Sequence, residues 1–284
     1  MNINSILTRA EALLRGKGFS TPRLDAEVLL AACLKCDRLS LYTRRIDSIT
    51  DERAEEFDGW ITRRSKGEPV AYIVGEKEFW SLDFYVNKNA LIPRPDTEVL
   101  VEEVIRISEE YAEKDNIKVL DVGTGSGSIG VAIASEYPNM TVVAIDSSLE
   151  AVSLARRNAL RHNLLDRIFF VCASLLKPIL GKFDIVVSNP PYISESEYDT
   201  LPPEVRNFEP RGALVAGPDG TEFHRDLVTG AQEILNRGGW LVMEVGTGQS
   251  KTIENMLREE GAYNQISSRR DYAGIERVVT GRRR

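Results

Sequence analysis

Apolar residues in the first part of the chain recur at helical spacing. Ile6, Leu7, Ala10, Leu13 and Leu14 share one face before Gly16 and Gly18 end the run. A second helix begins near Pro22 and carries Leu24, Val28 and Leu29. Thr50, followed by Asp51 and Glu52, starts a third through Ala54, Phe57 and Ile61. Between Pro69 and Pro95 the pattern shortens. Val70-Ala71-Tyr72-Ile73-Val74, Phe79-Trp80 and Phe84-Tyr85-Val86 read as strand-like runs punctuated by Gly75 and Asn87, which predicts a connecting hairpin. A helix follows with Leu100, Val104, Ile107 and Tyr111 on one face.

From Ile117 onward strand and helix signals alternate. Strands are expected at 117–122, 141–145, 168–172, 183–188, 239–245 and 275–280, with helices near 127–136, 148–163, 221–236 and 250–260. Near-continuous Val/Ile strands alternating with helices imply a parallel sheet covered on both faces. The expected fold is therefore α/β: a doubly wound, Rossmann-like sheet preceded by a small helical domain and a β-hairpin. The expected divisions are 1–68 (helical), 69–95 (hairpin and linker) and 96–284 (α/β).

Composition narrows the classes of partner. With 36 Lys and Arg against 43 Asp and Glu, the net charge is −7. Residues 1–85 hold 13 basic and 14 acidic side chains, so no basic domain stands ready for a phosphate backbone. The sole basic run is Arg282-Arg283-Arg284. Nucleic acid is not expected as a direct partner. Met1-Asn2-Ile3-Asn4 lacks the basic start and apolar stretch of a leader, and no run is long enough to cross a membrane, so a cytoplasmic protein is expected. Cys33 and Cys36 lie in a helical run with no second pair, so they read as core residues, and no metal is expected. His224-Arg225-Asp226 reads as exposed helix polarity, and Glu109-Glu110 and Glu259-Glu260 as helix surface.

The chemistry concentrates at strand ends. Val119-Leu120-Asp121-Val122 runs into Gly123-Thr124-Gly125-Ser126-Gly127, where glycines allow a sharp turn and close approach of a ligand to a helix N-terminus. The next strand ends at Asp146, whose carboxylate can accept two ribose hydroxyls. Together they indicate an adenosine-containing ligand without saying which. Gly125, Gly127 and Gly130 also satisfy the dinucleotide fingerprint, so a nicotinamide-dependent dehydrogenase is one alternative. That alternative leaves Asn189-Pro190-Pro191-Tyr192 unexplained. Two prolines cannot continue a central strand, but they make a stiff loop at the carboxyl edge of the sheet. The Asn189 side-chain oxygen and the Pro190 carbonyl can accept both hydrogens of an –NH2 group, and Tyr192 can lie against a flat one. A planar amide or an aminopyrimidine fits.

Asn-Pro-Pro-Tyr after such a fold resembles the S-adenosylmethionine-dependent amino methyltransferases, which act on DNA bases or on protein glutamine. Three further segments resemble the bacterial release factor glutamine methyltransferases (the PrmC or HemK family): Leu91-Ile92-Pro93-Arg94-Pro95-Asp96-Thr97-Glu98, Phe208-Glu209-Pro210, and Arg269-Arg270-Asp271-Tyr272-Ala273-Gly274-Ile275-Glu276-Arg277. The resemblance spans essentially the whole chain. It implies that Gly123, Thr124, Gly125, Ser126 and Gly127 cradle S-adenosylmethionine, that Asp146 holds its ribose and that Ser174 lies by its adenine. It also implies that Asn189, Pro190, Pro191 and Tyr192 bind the glutamine of the Gly-Gly-Gln loop of class-1 peptide chain release factors. S-adenosylhomocysteine would be the product. The match departs at Cys172-Ala173-Ser174-Leu175, where the family often carries an acidic residue followed by an aromatic one. Arg94 and Glu98 are expected either to line the substrate side or to form an ordinary interdomain ion pair. A DNA amino methyltransferase would need a basic recognition region, which this chain lacks. A binding module without turnover is the remaining alternative.

Overall fold

The computed structural model describes residues 2–176 and 179–284; Met1 of the Met1-Asn2-Ile3-Asn4 segment lies outside them. The chain forms two compact units, Met1–Glu76 with Pro202–Phe208, and Lys77–Leu201 with Glu209–Arg284.

In the first unit α1 (Ile3–Gly16), α2 (Pro22–Leu34), α3 (Ser40–Thr43), α4 (Asp51–Ser65) and α5 (Val70–Val74) enclose an apolar cluster that includes Ile6, Leu14, Leu29, Leu30, Phe57 and Ile61. Asn2 caps α1 by accepting from the Ser5 amide, and Thr50 caps α4 by accepting from that of Arg53. Cys33 is buried and Cys36 half-buried, both as free thiols. The strand-like reading of 70–74 is corrected: the segment is the helix α5. Five consecutive apolar residues carry no period that separates strand from helix. Pro69 starts the turn, and Gly75, at φ +84°, ends it.

The second unit begins with the hairpin β1 (Glu76–Phe79) and β2 (Leu82–Tyr85), then α6 (Glu98–Ser108). Strands β3 (Ile117–Val122), β4 (Met140–Asp146), β5 (Ile168–Cys172) and β6 (Phe183–Ser188) alternate with α7 (Ser128–Glu136) and α8 (Leu149–Arg161). After the short α9 (Glu195–Tyr198), and α10 (Pro203–Phe208), which belongs to the first unit, come α11 (Glu222–Ile234), β7 (Leu235–Glu244), α12 (Ser250–Glu260), β8 (Tyr263–Arg270) and β9 (Glu276–Arg283). The seven-stranded sheet has the order β5-β4-β3-β6-β7-β9-β8, with β9 antiparallel to both neighbours and the other pairs parallel. Chain order reverses between β3 and β6, so right-handed crossovers place α7 and α8 on one face and α11 and α12 on the other. The crevice between the ends of β3 and β6 is the switch point at which such sheets bind ligands.

Two expectations change here. Strand β8, whose sequence Tyr-Asn-Gln-Ile-Ser-Ser-Arg-Arg is largely polar, was not among the expected strands; it is a sheet edge, where only Tyr263 is fully covered. The terminal arginines are structural: Arg282 Nε donates to the Gly238 carbonyl at 2.9 Å, Arg283 to that of Leu235, and Arg284 Nε to that of Tyr263 at 3.2 Å.

Candidate active site

The glycine loop is built around two carboxylates. The amides of Gly123 and Thr124 both donate to the Ile145 carbonyl at 2.9 Å, tying the turn to the end of β4. Asp146 accepts from the Gly125 amide through Oδ2 and from the Ser148 amide through Oδ1, each at 2.9 Å. Each oxygen keeps a lone pair for a further donor, so the acid holds the loop and can still take a pair of hydroxyls. Beneath it Asp121 is fully buried. Its Oδ2 accepts from the Thr124 hydroxyl at 2.6 Å and from the Gly130 amide at 3.2 Å, and its Oδ1 takes no hydrogen bond. Gly127 adopts φ +81°, and a Cβ there would meet Cβ of Ala155 at 2.9 Å, so the residue seats the loop on α8. Asn158, a fully buried residue of α8 that sequence reading passed over, donates to the Ser126 carbonyl at 2.8 Å and exchanges two hydrogen bonds with the Tyr85 backbone.

At the end of β6 the Ser188 hydroxyl donates to the Val122 carbonyl at 2.8 Å, fastening the two loops side by side. A cavity of about 380 Å³ lies between them. Gly123, Thr124, Gly125, Ser126, Asp146, Ser174, Asn189, Pro190 and Pro191 all line it. Gly127 and Tyr192 do not. Ile129, Ile145, Phe223 and Leu227 supply an apolar wall, so the cavity can hold a flat ring beside a polar sugar.

The segments flanking the α/β core converge here as well. Glu209 is buried, accepts from the Ile92 amide at 3.1 Å and pairs with Arg94 at 2.5 Å, while Arg94 also lines the cavity. Both partners belong to the second unit, so this is an ordinary ion pair but not an interdomain one. Glu98 instead accepts from the Trp80 amide at 2.9 Å. Asp271 closes the β8–β9 turn by accepting from Ala273, Ile275 and Arg277 at 2.9 Å each. That fixes Arg277 near Asp96, at 3.5 Å, and near the Tyr192 hydroxyl, which burial and the neighbouring Glu244 push up to about 12.

His224 is corrected. It is fully buried, and its Nε2 lies 2.8 Å from the Glu244 carbonyl, which makes it a donor to that oxygen. Helix α11 turns this residue inward although Arg225 and Asp226 beside it are polar. Glu244, at the end of β7, is the functional candidate that sequence reading missed. Burial pushes its carboxyl up to about 7, as it pushes that of Asp121 up to about 6. Unfolded, both groups ionise near pH 4. Between about pH 4 and 7 the folded chain therefore binds more protons at these two sites, and their contribution to stability falls as pH rises. Glu244→Gln is expected to gain stability relative to wild type more at about pH 8 than at about pH 5, in urea titrations at both. An equal change at both pH values would disprove the assignment.

Known proteins match this chain along its length. The PrmC N-terminal domain family matches residues 5–75 and the methyltransferase small domain family residues 97–202. The release factor glutamine methyltransferase of Geobacter sulfurreducens is 43% identical over 281 residues, covering 99% of this chain and 96% of that one. That of Clostridium acetobutylicum is 40% identical over 283 residues, covering 98% of each. Among solved structures the hMettl16 catalytic domain bound to MAT2A 3'UTR hairpin 1 aligns with a TM-score of 0.57 at 17% identity, over 84% of this chain and 83% of that one. A methyltransferase from Pyrococcus furiosus aligns at 0.51 and 19%, over 78% and 96%. The structures share the fold; identity at this level over nearly the whole length goes further, and the chain belongs to the release factor glutamine methyltransferase family.

Proposed function

We propose that this chain transfers a methyl group from S-adenosylmethionine to the side-chain amide nitrogen of the glutamine in the Gly-Gly-Gln loop of class-1 peptide chain release factors, leaving S-adenosylhomocysteine. The observation that carries the reading is one cavity lined at once by the glycine loop, by Asp146 and by Asn189-Pro190-Pro191. The near-full-length relatives support the same substrate.

The residues present fit the cofactor. Loop amides, the spare lone pairs of Asp146 and the apolar wall match a nucleoside, with Gly123, Thr124, Gly125 and Ser126 forming the cradle, Gly127 seating it on α8 and Ser174 at the adenine end. S-adenosylmethionine supplies a methyl already activated on a sulfonium. What the chain must contribute is alignment of the incoming nitrogen with the S–CH3 bond. A primary amide is barely basic, because its lone pair is delocalised. Asn189 Oδ1 and the Pro190 carbonyl take the two amide hydrogens and favour a geometry in which positive charge can build on nitrogen. When bound, the cofactor would supply its methyl to that nitrogen, the S–C bonding pair would stay with sulfur, and the surplus amide proton would pass to water. Pro191 stiffens the loop. Tyr192 stands outside the cavity lining and packs against the substrate amide from the substrate side.

The test is incubation with labelled S-adenosylmethionine and, in parallel, a class-1 release factor and duplex DNA, followed by mass spectrometry. One added methylene on the Gly-Gly-Gln glutamine is expected. Label on DNA, or on neither acceptor, would overturn the substrate assignment.

A further inference from the structure

An asparagine carboxamide has two ends of nearly equal shape and opposite hydrogen-bonding character. With its oxygen toward the cavity Asn189 accepts from an –NH2 group; with its nitrogen there it repels one. Something must choose between them. In the parallel β6–β7 pair Ser188 aligns with Met243, so the next residues, Asn189 just past β6 and Glu244 at the end of β7, stand side by side. Asn189 Nδ2 donates to the Thr97 hydroxyl oxygen at 3.1 Å. Thr97 is 3% exposed and Glu244 is 2% exposed. The side chains of both Asn189 and Thr97 face the Glu244 carboxyl, whose Oε2 takes no hydrogen bond. Asn189 and Thr97 line the cavity, and Glu244 stands behind them. The Glu244 backbone is itself held, by His224 on its carbonyl and by the Val245 amide on the Arg277 carbonyl at 2.8 Å. Behind Asn189 the described residues thus place two groups able to accept from its nitrogen, the Thr97 hydroxyl oxygen and the Glu244 carboxyl.

We propose that Thr97 and Glu244 are positioning residues that hold the Asn189 carboxamide with its nitrogen inward and its oxygen toward the cavity, so that the site takes an –NH2 donor and rejects a carboxylate of the same shape. The proposal rests on the reading above, in which that donor is a glutamine amide. It also explains how glutamine is told from glutamate: a carboxylate would set its oxygens against Asn189 Oδ1 and the Pro190 carbonyl, acceptor against acceptor.

The experiment compares full-length wild type, Glu244→Leu, Glu244→Gln and Thr97→Val in three measurements. These are methyl transfer to a class-1 release factor, calorimetric affinity for S-adenosylhomocysteine, and the nitrogen-15 side-chain amide signals of Asn189. Glu244→Leu removes the acceptor while filling the space. It is expected to lower kcat about tenfold or more, by analogy with other residues that orient a binding group. S-adenosylhomocysteine affinity should stay unchanged, and the Asn189 NH2 protons should exchange faster. Glu244→Gln keeps one acceptor oxygen and should restore most of the rate; Thr97→Val should fall between them and serves if Glu244→Leu fails to fold. Wild-type kcat in Glu244→Leu, unchanged Asn189 signals, or affinity falling in step with kcat would overturn the proposal. If wild type leaves the release factor unmethylated, the functional reading fails, yet the Asn189 signals still decide its orientation.

Discussion

Alanine in place of Asn189 is expected to slow methyl transfer to the release factor by about 10²-fold or more, the usual cost of losing one preorganised polar contact at a reacting centre. On the proposed reading the variant loses the side-chain oxygen that takes one amide hydrogen, so the substrate nitrogen is held only through the Pro190 carbonyl. It keeps the loop proposed to hold the nucleoside, because the Gly125 amide stays on Asp146 and the Ser188 hydroxyl on the Val122 carbonyl. Affinity for S-adenosylhomocysteine should therefore fall much less than the rate. Single-turnover kinetics beside calorimetry separates the two, since an interaction made only at the transition state lowers kcat and kcat/KM together. Equal losses in rate and cofactor affinity would place Asn189 with the cofactor rather than the acceptor. Asn189→Asp is a useful companion. It keeps an oxygen toward the substrate, but it sets a carboxylate against Glu244 and Thr97, so its rate reports on the surroundings of Asn189 as well as on the residue.

Most of this site is legible in sequence because its chemistry sits directly on strand ends. Largely apolar runs mark β3, β4 and β6, and the residues at their ends fall at the carboxyl edge of the sheet, as Gly123, Asp146 and Asn189 do. The segments around Arg94 and Glu209 are visible as motifs, but their meeting is not, since nothing in local spacing brings residues 115 positions apart into a 2.5 Å ion pair. Glu244 fails for the same reason. An acid after Leu241-Val242-Met243 looks like any polar strand terminus, and only the β6–β7 register shows that it backs Asn189. His224 defeats pattern reading differently: the two residues after it, Arg225 and Asp226, are charged, and the inward face of α11 includes it nonetheless. Local pattern does not separate helix from strand at α5, because an apolar pentapeptide has no period, and it does not mark β8, because an edge strand need not be apolar. The division of the chain has a similar limit. Residues 202–208 join the first unit through contacts with residues far away in sequence.

That same long-range closure makes the first unit vulnerable at one point. Asp25 on α2 and Arg64 on α4 form a 2.7 Å ion pair with side chains 9% and 6% exposed. The guanidinium also donates to the Glu68 carbonyl at 3.2 Å, pairs with Glu204 of α10 at 2.8 Å, and lies 4.1 Å from the Phe19 ring centre. Asp25→Ala leaves a buried Nε without its acceptor and also releases the Thr21 hydroxyl, which donates to Asp25 at 2.8 Å. Breaking a buried pair from one side costs about 3–5 kcal/mol. The lower end is expected here, because Glu204 still faces the charge. For a unit of this size that is roughly 10 °C or more in its unfolding midpoint. Glu204→Ala should cost less than about 1 kcal/mol, since Glu204 is 43% exposed and its half of the network is screened by water. Replacing both members, as Asp25→Ala with Arg64→Met, should recover much of the loss, because no charge is then buried alone. Urea unfolding of wild type and the three variants measures the free energies, and thermal unfolding the midpoint. If Asp25→Ala proves no worse than Glu204→Ala, the buried pair contributes little and the unit is held by its apolar cluster alone. If the double variant is as unstable as Asp25→Ala, the loss comes from packing around Phe19 and not from an orphaned charge.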